Sequence, residues 1–149
     1  MTPIVSIVEI DRPPEEVFAY VTDPSRFAEW QKNVVSGGAE NDGPQSAGSR
    51  CTTTRRIGGA ERTTTQEVTK LDPPRAWSVR GVDGPVRANV DVTVEPLDER
   101  TRSRVSISLQ FVGHGIGKLI VPAFVRPQAG KEVASSCQNL KARLERSAD

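Results

Sequence analysis

The chain has 149 residues, enough for one domain with a core and an internal cavity, and its 20 basic residues are balanced by 19 acidic ones. That balance gives no basic face for nucleic acid, and no apolar run approaches the roughly 18 residues of a membrane span. One histidine and two distant cysteines offer no metal-ligand spacing, so neither a metal nor another cofactor is expected.

Ile4, Val5, Ile7, Val8 and Ile10 predict a first strand. Asp11 is placed to cap a helix that Pro13 and Pro14 start, with Glu15 and Glu16 at its positive end. Val17, Phe18, Tyr20 and Val21 are its apolar part. Asp23-Pro24 ends it and caps a second short helix, with Phe27 and Trp30 on one face. Val34 to Ala39 reads as a weak strand, and Glu40 to Ser49 as a loop around the Asn41-Asp42-Gly43-Pro44 turn cluster.

The pattern then becomes β. Strands are expected over Arg50–Ile57, Glu61–Leu71 and Arg75–Gly81, separated by Gly58-Gly59 and Asp72-Pro73-Pro74. Val86, Ala88, Val90, Val92 and Val94 alternate with polar residues, and so do Val105, Ile107, Leu109 and Phe111. Period two means one buried and one wet face, as in a single curved antiparallel sheet. Beyond Gly117 the period turns helical. Val125, Ala129, Val133, Cys137, Leu140 and Leu144 form a stripe, from which Lys131, Glu132, Gln138, Lys141 and Glu145 lie away. One long helix is expected, bent near Pro127.

The segment IDRPPEEVFAYVTDPSRFAEW, Ile10 to Trp30, closely resembles the opening of the START/Bet v 1-like (SRPBCC) superfamily, in its bacterial polyketide cyclase/dehydrase and lipid-transport branch. LDPPRAW and the closing QNLKARLERS resemble that family's turn and terminal helix. The resemblance spans almost the whole chain. It implies an α+β helix-grip fold over residues 1–149: about seven antiparallel strands curved around a long C-terminal helix, with two short helices after strand one and a cavity between sheet and helix. It further implies a small hydrophobic, oxygen-bearing ligand of polyketide, isoprenoid or lipid type. The alternatives are a polyketide cyclase, aromatase or dehydratase using the same cavity, and a protein-interaction module without one.

Strands three and four are far more polar than six and seven. Thr53, Arg55, Thr64 and Gln66 are therefore expected at the cavity, since a polar group turned inward must meet a partner or a ligand. Trp30, Trp77, Phe111 and Phe124 are candidate aromatic walls, and Gln128 stands at the helix start. Arg55, Gln66 and the single histidine, His114, are the candidates for moving a proton.

GHGIGKL, Gly113 to Leu119, imitates a phosphate loop but fails it. A Walker loop needs glycine at Val112 and Ser or Thr at Leu119, and a dinucleotide loop needs glycine at Lys118. No G-x-S-x-G elbow and no Rieske Cys/His pair occurs. Met1 leads directly into the first strand without a basic-then-apolar signal, so a reduced cytoplasmic protein is expected, monomeric or homodimeric.

Overall fold

The computed structural model describes residues 3–40, 43–57, 59–84, 86–113 and 126–146. The elements in order are β1 (Ile4–Ile10), α1 (Pro14–Val21), a 3-10 turn (Pro24–Arg26), α2 (Phe27–Trp30), β2 (Val34–Ala39), β3 (Arg50–Ile57), β4 (Ala60–Asp72), β5 (Ala76–Gly81), β6 (Val86–Leu97), β7 (Arg102–Gly113) and α3 (Arg126–Arg146). The strands form one antiparallel sheet, ordered β1-β7-β6-β5-β4-β3-β2. This is the helix-grip fold that the family resemblance implied.

One local expectation needs correction. Asp11 does not cap α1. Pro13 holds the cap position with extended backbone and no side-chain bond, while the Asp11 N–H donates to Glu145 Oε2 at 2.9 Å. Proline supplies the helical φ, so a side-chain cap is dispensable there. Pro127 lies in the first turn of α3, where a missing N–H costs little. The bend expected near it falls at the boundary of the described residues. Asp23 behaves as expected, its Oδ1 accepting the Ser25 N–H at 3.0 Å. Gly37 has a steric reason: a Cβ there would stand 2.6 Å from the Pro24 carbonyl oxygen, so only glycine lets β2 pass beneath the 3-10 turn.

Strand pairing fixes which side chains share the concave face. Ser6, Ile107, Val92, Trp77 and Leu71 form one row, and Ile4, Leu109, Val90, Val79 and Val68 form the next. The helix stripe joins them. Ala129, Cys137, Leu140 and Leu144 are buried, and Val133 packs partly buried against the same core. The α3 backbone approaches β1 and α2 most closely.

Burial is graded along this grip. At one end Ile10, Val105, Val94, Leu140 and Val17 are almost fully enclosed. Toward the other end Ile4, Leu109, Val90, Ala88 and Phe111 point the same way yet keep partial exposure. Burial is thus complete near α1 and only partial toward the other, open end of these strands. No described helix is long and apolar enough to cross a membrane.

Candidate functional site: the open end of the grip

The β3–β4 register puts Cys51 opposite Gln66, Thr53 opposite Thr64 and Arg55 opposite Arg62. Cys51 and Thr53 are buried, so this face of β3 looks inward. The polar pair on it satisfies itself. The Thr53 hydroxyl donates to Gln66 Oε1 at 3.0 Å, and Gln66 Nε2 donates to Thr64 Oγ1 at 2.7 Å. A buried threonine is thereby tolerated without a ligand.

Gly81 pairs with Gln66, and Ala88 lies opposite Phe111. Gly81 itself is closely approached, since a Cβ there would stand 3.1 Å from Ala88 N and 3.2 Å from Arg87 Cβ. On α3, partly buried Gly130 has no atom within 4 Å of where its Cβ would stand.

Arg55 is the cation of this end. Its Nη1 donates to Asn33 Oδ1 and its Nη2 to Gln31 Oε1, both at 2.9 Å. Asn33 Nδ2 in turn donates to Glu132 Oε2 at 2.9 Å. The guanidinium is enclosed enough that burial pulls its pKa below the ordinary value, with the Glu132 charge opposing. The carboxylate therefore reaches the cation through an amide, and the direct partners described are neutral acceptors. Arg55 and Gln66 can donate hydrogen bonds to a ligand oxygen, but neither accepts a proton readily at neutral pH. Glu132 brings the carboxylate of this network.

The aromatic candidates divide. Phe111 sits half-buried at the open end. Trp30 and Trp77 are buried on either side of Phe27, edge-on at 6.1 and 6.2 Å between centroids. The Trp77 indole donates to Gln45 Oε1 at 3.1 Å, and Gln45 Nε2 donates to the Thr22 carbonyl at 2.8 Å. The Trp30 indole N–H finds no acceptor among the described residues. His114 and Phe124 lie outside the described residues, as does the Gln128 side chain. Beneath the Gln45 loop lies a small cavity of about 30 Å³, room for one water, lined by Pro24, Gln45, Cys51 and Val68.

Sequence reasoning missed Gln31, Asn33 and Glu132. Glu132 lies off the apolar stripe of the helix, yet it is half-buried and bonded to Asn33. The polar run Gln31-Lys32-Asn33 directly after a buried tryptophan was the available signal.

A curved antiparallel sheet gripping a C-terminal helix, with two short helices after the first strand, defines the helix-grip class. The chain belongs to the polyketide cyclase/dehydrase and lipid transport family, whose profile matches residues 1–145. No curated protein matches the sequence significantly. Among solved structures, a Thermus thermophilus protein is 18% identical over 99% of both chains, with a TM-score of 0.79. A START superfamily protein from Mycobacterium smegmatis is 14% identical over 99% of this chain and 100% of that one, with a TM-score of 0.80. The Zhui aromatase/cyclase from a Streptomyces species is 16% identical over 99% of this chain and 95% of that one, with a TM-score of 0.79. At these identities the likeness establishes the fold.

Proposed function

We propose that this protein binds a small, largely apolar, oxygen-bearing ligand of polyketide, isoprenoid or lipid type at the open end of the grip. The observation that carries the reading is Arg55. A guanidinium turned inward is costly unless it is paired, and its described partners are two neutral amide oxygens. On the same face of the sheet, on β6 and β7, Leu109, Val90, Ala88 and Phe111 are apolar and only partly covered. A ligand with an apolar body and a carbonyl, enol or carboxylate oxygen answers both features. The Trp30 indole N–H is a second donor without a protein partner among the described residues. Phe124 and Gln128 from the helix side, with Thr53, Thr64, Gln66 and Trp77 from the sheet, complete the ligand-binding set in this proposal. The test is binding of a hydrophobic fluorophore or an aromatic polyketide mimic, compared between the parent, Arg55→Ala and Gly130→Leu. Parent-like binding by both variants would end this reading and move a protein-interaction role ahead.

The second reading is an enzyme, a cyclase, aromatase or dehydratase, and it is favoured by the family's name and the likeness to an aromatase/cyclase. There Arg55 and Gln66 hold a reactive polyketide in one fold while a base such as His114 moves the proton. Turnover of a poly-β-ketone mimic, lost in His114→Ala with binding retained, separates this reading from simple carriage. We also place the single-domain protein in the cytoplasm, where Cys51 and Cys137 stay as the free thiols described. Fractionation of cells expressing it checks that placement.

A further inference from the structure

β1 is an edge of the sheet, and part of that edge is open. Two bonds show how its backbone is aimed. The Glu9 carbonyl accepts from Lys141 Nζ at 2.8 Å, and the Asp11 N–H donates to Glu145 Oε2 at 2.9 Å, so the odd-numbered groups point away from β7 toward the free side. In an extended strand residues two apart aim the same way, which puts the N–H and C=O of Val5 and Ile7 on that free side too. No described group outside the ladder bonds them. Their side chains face the convex surface beside Ser108 and Ser106, where Val5 is 57% and Ile7 58% exposed, the highest values among the described large hydrophobic residues. Natural edges are usually blunted by charge, proline or cover. Here Lys141 and Glu145 cover the end at Glu9 and Asp11, Pro3 closes the other end, and Ile4-Val5-Ser6-Ile7-Val8 between them carries no charge.

We propose that this open stretch pairs antiparallel with β1 of a second copy of the chain, about a twofold axis through Ser6. In that register Val5 faces the second copy's Ile7 and Ile7 its Val5, each pair exchanging both backbone bonds. Glu9 falls opposite the second copy's Pro3. Proline has no N–H to give, and the Glu9 carbonyl is already held by Lys141, so neither end leaves a group unmet. Shifting the register by two in one direction brings Val5 N–H onto that occupied Glu9 carbonyl. Shifting it in the other sets Ile7 against Pro3 and loses a bond at each end. On the convex face the two valines and two isoleucines close into one apolar patch of cross-strand β-branched pairs. The strand is thus complementary to itself, which is why the occupant is a copy of this chain. A contact of five residues a side is smaller than a standard interface, so the dimer is weak, with a Kd on the order of 0.1 mM.

The experiment is sedimentation velocity from roughly 10 µM to 1 mM, a range that brackets that Kd, together with amide hydrogen exchange read residue by residue. The expected result is a concentration-dependent monomer–dimer equilibrium in which the Val5 and Ile7 amides gain protection as dimer forms. Ile7→Lys places like charges at the centre, and Val5→Pro removes a donor that the monomer leaves free. Each variant should raise the Kd at least tenfold while melting as a folded monomer. A protein that stays monomeric throughout, a dimer that survives both variants, or self-association without protection at Val5 and Ile7 would each overturn the proposal. Protection of those amides only on adding a foreign extended peptide, never with concentration, would do the same by giving the edge to another partner.

Discussion

Replacing Arg55 by methionine should separate ligand binding from stability. The substitution removes two hydrogen bonds from a charged donor, each worth about 1.5–3 kcal/mol, and strands the Gln31 and Asn33 oxygens. Both amides are only half-buried, so water can replace the lost donor. Against this loss, the folded protein no longer desolvates a guanidinium, which costs several kcal/mol on its own. The two sides nearly cancel. Stability should change by less than about 1.5 kcal/mol, a melting shift of at most about 5 °C for a chain of this size. Binding has no such compensation. Loss of a charge-assisted bond to a ligand oxygen costs about 1.5–3 kcal/mol, which is roughly 10- to 150-fold in Kd. Urea melts and titration calorimetry with an aromatic polyketide mimic read the two quantities on the same samples. A variant that loses more than about 3 kcal/mol of stability would make Arg55 a structural residue, as a broken buried network does. One that binds as the parent does would remove it from the site.

Leu140→Ala should cost about 2–5 kcal/mol, since the side chain is fully buried in the main core and leaves a cavity. A denaturation midpoint within surface-mutation range, below about half a kcal/mol, would take it out of the core. Gly130→Leu should leave stability level or raise it by up to about 1 kcal/mol through helix propensity, because a Cβ meets open space there, while abolishing ligand binding. Retained binding would place the ligand elsewhere. Alkaline pH should destabilise the fold. Burial raises the thiol pKa of Cys51 and Cys137, and burial with the Glu29 bond pushes Tyr20 up to about 12 from 10.0. Groups raised in the folded state keep their protons while the unfolded chain releases them, so stability is intact below the unfolded values and falls as pH rises past them. A Tm that stays flat from pH 8 to 11 would contradict that burial.

The strands were legible because alternation survives in β6 and β7, where Val92, Val94, Val105 and Ile107 are all buried. Turn residues marked the boundaries, and β3 ends where Gly58-Gly59 predicted. What could not be read was side-chain reach. Glu132, Lys141 and Glu145 all lie off the apolar stripe, yet they bond to Asn33, to the Glu9 carbonyl and to the Asp11 amide. Long side chains cross from a helix flank to a neighbour that only the tertiary fold supplies. Thr53, Thr64 and Gln66 share the inward face, but their bonds to one another depend on register, which residue type alone does not fix. β1 shows the converse. A run as apolar as Ile4 to Val8 gives no sign that Val5 and Ile7 stand on the exposed face.

The most direct test of the central claim is an NMR titration with an aromatic polyketide mimic on uniformly labelled protein. Binding at the open end of the grip predicts shifts concentrated on Asn33, Arg55, Thr64, Gln66, Ala88, Phe111 and Gly130. Ile10, Val105 and Leu140 at the closed end should stay unmoved. Saturable shifts confined to the closed end, to the cleft around Gln45 and Cys51, or to the convex face would contradict the account, as would a spectrum that the mimic leaves unchanged.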